Sequence, residues 1–245
     1  RQRQMCIRDR PKCYCYKTTD MEQNLSKKTR TESDLIGSRE VPESALYGVQ
    51  TLRGIENFRI SKFHLNEYPL FIQALAITKM GAAVANRELD LLTEEQADAI
   101  LKACKEILEG KHHDQFPVDM IQGGAGTTTN MNANEVIANR ALELMGHQRG
   151  EYQYCSPNDH VNRSQSTNDA YPTAIHIGLY YTHLKLVKHF EVLIESFRKK
   201  ATEFAHVIKM GRTQLEDAVP MTLGQTFNGF ASILRHEVKL SLIHI

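Results

Sequence analysis

Residues 165–204 read QSTNDAYPTAIHIGLYYTHLKLVKHFEVLIESFRKKATEF. Apolar side chains recur every three or four positions from Ile175 to Phe204, and a stripe sustained over about nine turns is typical of a bundled helix. Its intermediate members are Leu179, Thr182, Leu186, Phe190, Leu193, Phe197 and Ala201. One pair of helices cannot bury a stripe of this length, so the sequence predicts further helical partners.

The polar residues in front of this helix have two interpretations. Ser166, Thr167, Asn168 and Asp169 are residue types that favour a helix N-cap, and Pro172 suits a first turn. The same side chains, beside unpaired backbone N–H groups and the positive end of a helix dipole, also suit a small anion. Taken alone, the local sequence favours the cap.

Composition disfavours several classes of protein. The 245 residues carry a formal net charge of +1, which gives no electrostatic case for binding nucleic acid or an anionic membrane. Apolar runs such as 74–77 are far too short to span a bilayer. Five cysteines without a regular framework, and no apolar signal segment, favour a cytoplasmic location. Cys13 and Cys15 lack further metal-ligating neighbours, so we expect no metal and no cofactor.

Most of the remaining chain predicts helices joined by polar loops. Helices are expected at 69–89, 93–108 and 131–145, in the long stripe from 173 onwards, and again from 222 onwards. Thr93 and Gln96 form the pattern of a capping box, and Gly110 suits the end of the second helix. Because no convincing alternation of period two appears, the predicted fold class is all-α, a mostly helical N-terminal domain followed by the start of a long-helix bundle.

Three further segments are predicted to be irregular. Residues 33–58 contain several glycines and a proline, and read as an extended, loop-rich segment with a turn or two of helix, in which Arg53 is a solvated surface charge. In residues 122–134, glycines that permit close backbone approach precede Thr127 and other neutral donors, but the lysine of a phosphate-binding loop is missing. A loop at 211–220 contains Thr213 and Gln214.

Taken in this order, the polar segments resemble those of the aspartase/fumarase superfamily, over roughly residues 34–239. The matching segments are Gln122–Glu135, Gly146–Tyr154, Pro157–Asn162, Gln165–Thr173 and Lys209–Gln225. The pairs Ser166-Thr167 and Thr213-Gln214 are similar to the aspartase branch, because fumarases usually carry two serines at the first pair and Thr-His at the second. A class II fumarase, or a non-catalytic helical scaffold of the same fold, remains the alternative.

The resemblance implies an ammonia-lyase that reversibly removes ammonia from L-aspartate to give fumarate, through an aci-carboxylate intermediate. The implied partner is therefore a small dicarboxylate, with no nucleic acid and no membrane. By family correspondence Thr127, Ser166 and Thr167 hold the β-carboxylate. Asn168 and Gln214 lie near the amino group, and Thr213 lies near the other carboxylate.

The resemblance also implies what the chain lacks. The family's catalytic base is a serine in a Gly-Ser-Ser loop followed by Met-Pro, and neither pattern occurs in these residues. We therefore assign no catalytic residue and expect the base beyond Ile245. Family members are homotetramers in which three subunits build each site. A fragment without those partners is expected to be inactive, with much of its apolar stripe exposed.

The expected organisation has three parts. Residues 1–20 show no periodicity and precede Met21, so they are interpreted as extraneous or disordered. Residues 21–164 are expected to form an N-terminal lyase domain. Residues 165–245 are expected to form the first, truncated part of a central helical-bundle domain.

Overall fold

A computed structural model of the protein describes residues 28–243. The interpretations of residues 1–20 and of Cys13 and Cys15 lie outside this range. Helices make up 60% of the structure, and the all-α fold class is confirmed. In chain order the main elements are β1 (Thr29–Asp34), β2 (Gly37–Pro42), α1 (Val49–Asn57), α2 (Pro69–Glu88), α3 (Glu94–Leu108), α4 (Thr127–Leu144), α5 (Thr167–Glu203), β3 (Ile208–Thr213), β4 (Glu216–Thr222) and α6 (Leu223–Ile243).

Two antiparallel hairpins stand where loops were predicted. β1 pairs with β2 from Thr29 opposite Pro42 to Asp34 opposite Gly37, so the extended part of residues 33–58 is a paired hairpin and not a loop. The short helix that was expected there is α1, with nine residues. β3 and β4 likewise turn the predicted loop at 211–220 into a hairpin. Arg53 is not a solvated charge either, because its guanidinium donates to both carboxylate oxygens of Asp34 at 2.8 and 2.9 Å.

The helices α2 and α3 lie where the apolar periodicity predicted them. Thr93 caps α3 as expected: its hydroxyl accepts from the backbone N–H of Gln96, and the Gln96 side chain accepts from the N–H of Thr93, both at 3.2 Å. Gly110 follows the end of α3 with a φ of +88°, a conformation that glycine adopts without a steric penalty.

The helices α4 and α5 begin earlier than predicted. α4 starts at Thr127 rather than at 131, and α5 starts at Thr167 rather than at 173. The polar residues that were expected to precede these helices therefore form their first turns, where unpaired N–H groups tolerate such side chains. Pro172 lies inside α5 and not in its first turn, so it offers no N–H to the carbonyl of Asn168.

The centre of the fold is α4. Of its 18 residues, 13 are buried, and Val136, Ile137 and Leu142 join Leu75 of α2 and Ile100 of α3 in the main core. Buried polar side chains of α4 hold the surrounding loops. The carboxylate of Glu135, for example, accepts three backbone N–H groups at the start of α1 at 2.8–3.0 Å. The helix thus orders its neighbours through hydrogen bonds as well as through apolar contact.

The long helix α5 packs against α2 near its start and against α6 further along. Near its end, Phe204 lies 5.8 Å from Phe227 of α6, measured between ring centroids. Other members of the predicted stripe stay exposed, with relative accessibilities of 54% at Leu179, 47% at Leu186 and 41% at Leu193. Within residues 28–243, no helix is long and apolar enough to cross a bilayer.

Candidate anion site at the helix starts

Ser166 caps α5, as the local sequence predicted. Its hydroxyl oxygen accepts from the backbone N–H of Asn168 at 3.2 Å. In return its own N–H donates to the carboxylate of Asp169 at 3.3 Å, which completes a capping box. The Asn168 side chain is exposed in this first turn. Ser166 and Asn168 are therefore held by the helix start itself.

Thr127 stands at the start of α4, directly after Gly126. Gly126 has a φ of +90°, and a Cβ atom built on it would lie 2.3 Å from a ring carbon of Tyr171 in α5. Only the lack of a side chain lets the start of α4 approach α5 this closely. The Thr127 hydroxyl donates to the carbonyl of Gly124 at 2.5 Å, so its hydrogen is engaged within the loop.

Asn130 joins the two helix starts. It is buried, and its Nδ2 donates to the hydroxyl oxygen of Thr167 at 3.0 Å. Because Thr167 accepts this bond, its own hydrogen is free to donate elsewhere. Thr127, Ser166, Thr167 and Asn168 consequently lie together, where the positive ends of two helix dipoles meet. Such an arrangement suits an anion.

A buried lysine lies directly behind this cluster. Lys79 of α2 has no exposed surface. Its Nζ donates to the side-chain oxygens of Asn130 at 2.7 Å, Asn162 at 2.9 Å and Gln165 at 3.0 Å. Burial disfavours the charged form and lowers the pKa of the ammonium to about 7.

Sequence analysis missed the role of Lys79, because it occupies an apolar position in the periodicity of α2. It follows Ile72, Leu75 and Ala76 at helical spacing, and it therefore falls on the buried face of α2. A lysine at such a position was itself a usable signal, since a lysine is almost never fully buried unless its charge is paired. Asn130 was predicted to be a donor in front of a helix, and it is instead a buried link inside α4.

Thr213 and Gln214 lie far from the other predicted site residues. They occupy the turn between β3 and β4, where Gln214 is exposed with a φ of +48°. This hairpin follows the C-terminal end of α5, whereas Ser166 and Thr167 stand at its beginning. A helix of 37 residues is about 55 Å long at 1.5 Å per residue. A single copy of the chain therefore does not bring the two groups together.

In the polar segment 156–162, which connects α4 to α5, the first residues bond to one another, whereas Asn162 contacts Lys79 and Asn130. The Ser156 hydroxyl accepts from the N–H of Asp159 at 3.1 Å, and Nδ1 of His160 accepts from the N–H of Ser156 at 2.7 Å. Burial lowers the pKa of His160. These groups stabilise a single turn of π-helix, Pro157–Val161, and so act within the segment.

A cavity of about 1100 Å³ lies away from the cluster, between the first hairpin and the end of α4. Its two arginines are engaged with the protein: Arg30 donates to four backbone carbonyls and to Glu32, and Arg149 is paired with Glu143 at 2.6 Å. Across residues 28–243, no three His, Cys, Asp or Glu side chains come together as a metal site.

The chain belongs to the family whose model is described as lyase, and that model matches residues 37–243. It is 56% identical over 216 residues to an aspartate ammonia-lyase of Escherichia coli K12, covering 88% of this chain and 45% of that relative. It is 58% identical over 209 residues to an aspartate ammonia-lyase of Pseudomonas fluorescens, covering 85% and 44%. The chain thus spans about 45% of the length of the curated relatives that it matches.

Solved structures agree with the family. A fumarate lyase:delta crystallin from Brucella melitensis, bound to cobalt, superposes with a TM-score of 0.83 at 52% identity, over 86% of this chain and 46% of that one. A class II fumarase from Schistosoma mansoni superposes with a TM-score of 0.80 at 38% identity, over 86% and 44%.

Proposed function

We propose that the protein containing this chain is an aspartate ammonia-lyase, which reversibly converts L-aspartate to fumarate and ammonia. The observation that carries the proposal is the cluster of neutral donors at the starts of α4 and α5. The aspartate ammonia-lyase relatives, at 56–58% identity, support this reading over the fumarase alternative, whose structural neighbour is 38% identical. The expected ligand is a small dicarboxylate.

The chemistry of the reaction explains why the site uses neutral donors. A base removes a weakly acidic proton from Cβ, and the β-carboxylate then carries two negative charges as an aci-carboxylate. Donors fixed before the reaction stabilise that charge more than they stabilise the ground-state carboxylate. We assign this role to Thr127, Ser166 and Thr167. The hydroxyls of Ser166 and Thr167 each accept a hydrogen bond and keep their hydrogens free, whereas the hydrogen of Thr127 is engaged with Gly124.

Two further roles, at the amino group and at the other carboxylate, are assigned. Asn168 and Gln214 would contact the amino group, and Thr213 the other carboxylate. Thr213 and Gln214 belong to the hairpin beyond the far end of α5, a helix about 55 Å long. A complete site would therefore draw them from another copy. The exposed stripe at Leu179, Leu186 and Leu193 supports an assembly of several chains, and we propose a homotetramer.

We also propose a location for the protein and an organisation of its domains. The chain's two described cysteines, Cys104 and Cys155, are buried free thiols, which is compatible with the reducing cytoplasm that we propose as the location. We further propose that residues 21–164 form the N-terminal lyase domain and residues 165–245 the first part of a bundle domain, with residues 1–20 extraneous. The Ser base is expected outside these residues, so the 245-residue chain should bind a dicarboxylate without turning it over.

Substitution of Thr167 tests the assignment. Thr167→Val removes the free hydroxyl and nearly preserves volume, so fumarate affinity measured by calorimetry should fall about tenfold, the usual effect of losing a hydrogen bond to a charged group. The matched control is Thr182→Val, because that hydroxyl of α5 donates to the Gly178 carbonyl at 2.8 Å, several turns away. Equal affinities of the two variants would contradict the assignment.

The reaction itself is tested by product formation. Release of ammonia from aspartate and hydration of fumarate to malate are compared for the protein and for its 245-residue chain. Faster hydration than deamination would favour the fumarase alternative. Fumarate formation by the 245-residue chain, at a rate near that of a full-length lyase, would refute the expectation that its base lies elsewhere.

A further inference from the structure

The ammonium group of Lys79 contacts three amides, of which Asn130 is buried and Asn162 and Gln165 are partly buried. An ammonium group has three hydrogens and no acceptor, and Lys79 directs its hydrogens to the oxygens of Asn130, Asn162 and Gln165. Each amide must therefore turn its oxygen toward α2 and its NH2 group away from α2. The NH2 groups of Asn162 and Gln165 are also held by backbone carbonyls of residues 161–165. The NH2 group of Asn130 donates to side chains alone, so its orientation depends on the ammonium and on the side chains around it.

Asn130 transmits this orientation to Thr167. With its oxygen held by Lys79, its Nδ2 donates to the Thr167 hydroxyl at 3.0 Å and to Asn162 at 3.1 Å. Thr167 must accept, which leaves its own hydrogen free for an external acceptor. With Asn130 reversed, an oxygen would face Thr167 and the hydroxyl hydrogen would turn inward. An anion would then meet a lone pair in place of a donor.

No carboxylate pairs with Lys79 in the part of the chain that the structure describes. The groups packed on its Nζ are amides from α4 and from the segment before α5. Cys104 of α3 is the titratable group nearby, and burial raises the pKa of its thiol to about 12, so it is neutral. An anion bonded to Thr167 would be connected to the ammonium through three hydrogen bonds, by way of Thr167 and Asn130, and would favour the charged form of Lys79.

We propose that Lys79 is a positioning residue of the dicarboxylate site, which, by orienting Asn130, keeps the Thr167 hydroxyl as a donor toward the substrate. The inference rests on the proposed function and deepens it, because it names what sets the direction of the donor. It also links two equilibria: a bound dianion favours protonation of Lys79, so fumarate affinity should fall as pH rises through the pKa of Lys79, about 7.

The first test is a double-mutant cycle on fumarate affinity. Lys79→Met should weaken binding about tenfold, as expected for losing a donor to a charged group. The control Lys102→Met makes the same change on an exposed position of α3 and should change affinity less than about twofold. In a Thr167→Val background, Lys79→Met should have little further effect on affinity, because the hydroxyl through which Lys79 acts is already absent. Losses that multiply would overturn the inference.

A second pair of variants covers the case in which Lys79→Met does not fold, since it leaves three amide oxygens without their donor. Asn130→Asp keeps an acceptor for Lys79 but replaces the NH2 group, so the Thr167 hydroxyl must donate inward. Asn162→Asp gives Lys79 the same new carboxylate without changing the group that bonds Thr167. We expect about a tenfold loss for Asn130→Asp and a clearly smaller loss for Asn162→Asp. Equal losses would mean that added charge, and not hydroxyl direction, governs binding, and would overturn the inference.

Nuclear magnetic resonance tests Lys79 without any ligand. With lysine labelled with carbon-13 at Cε and side-chain amides labelled with nitrogen-15, Lys79 should titrate near 7, and the Asn130 amide should shift at the same midpoint. Fumarate should raise that midpoint. A Lys79 midpoint near 10.5, with Asn130 unaffected, would overturn the inference. If the midpoints agree but fumarate binds to no variant, including the unsubstituted protein, the proposed function fails and the control of Asn130 by Lys79 stands.

Discussion

Replacing Gly126 by alanine should separate the starts of α4 and α5. The new methyl group would lie 2.3 Å from Cγ of Tyr171, far inside van der Waals contact. Cγ is the ring atom next to the Tyr171 Cβ, so rotation of the ring cannot move it away. Either α4 or Tyr171 must shift, and Thr127 would be carried with it.

The expected loss of stability in Gly126→Ala has two contributions, which can be measured separately. Gly126 has a φ of +90°, and a left-handed conformation costs an alanine about 1–2 kcal/mol. Forcing a methyl into a packed contact adds about 1–3 kcal/mol. The sum, about 2–5 kcal/mol, corresponds to a decrease in Tm of roughly 5–15 °C for a chain of this size.

Gly146 supplies the control at the other end of α4. Its φ is +83°, but nothing lies within 4 Å of the position that an alanine Cβ would take, so Gly146→Ala should show the backbone penalty alone. Thermal unfolding followed by circular dichroism measures both variants. Adding Tyr171→Ala to Gly126→Ala should restore the part of the stability loss that comes from the contact with the Tyr171 ring. Equal decreases in Tm for Gly126→Ala and Gly146→Ala would refute the packing argument.

Three further outcomes follow from contacts described above or from the same helices. The hydrogen bonds from Arg140 hold the pKa of Glu106 at about 2, below its ordinary 4.5. Because this pKa is lowered, the ion pair stabilises the fold above pH 4.5, and that stabilisation is lost as the pH falls toward 2. Glu106→Gln should therefore lower the free energy of unfolding by about 1 kcal/mol at pH 7, and the free energy measured in urea should depend less on pH between 2 and 4.5. Glu135→Gln turns an amide NH2 toward backbone N–H donors and should cost about 2 kcal/mol in thermal unfolding, and a cost near zero would contradict the buried contacts. Leu186→Glu should reduce self-association in sedimentation velocity while leaving the unfolding of the single chain nearly unchanged, because Leu186 is half exposed.

Long-range periodicity and caps made most of the helical fold predictable. α2, α3 and the stripe of α5 bury or present apolar groups at regular spacing, so their sequences carry the signal directly. The first hairpin carries no such signal. In β1 the residues that face the protein are Arg30, Glu32 and Asp34, which are held by ion pairs and hydrogen bonds. An apolar alternation is therefore missing from a strand that is structurally half buried.

Neutral donors at the helix starts could be singled out from the sequence, but their layout could not, and their role in binding stays a prediction. Thr127, Ser166 and Thr167 were visible because neutral donors concentrated at helix starts suit an anion. Lys79 was hidden, because its partners come from residues 51 to 86 positions away along the chain. The separation of Thr213 from Thr167 was equally hidden, because it depends on α5 being one unbroken helix of 37 residues.

The length of α5 also bears on whether chains must associate before the site is complete. If one ligand must contact both the start of α5 and the hairpin beyond its end, a single folded chain contains no complete site. Ligand affinity would then rise with chain concentration and fall on dilution. The ligand would in turn act as a cross-link, and added dicarboxylate should shift the equilibrium between free and associated chains toward the associated form.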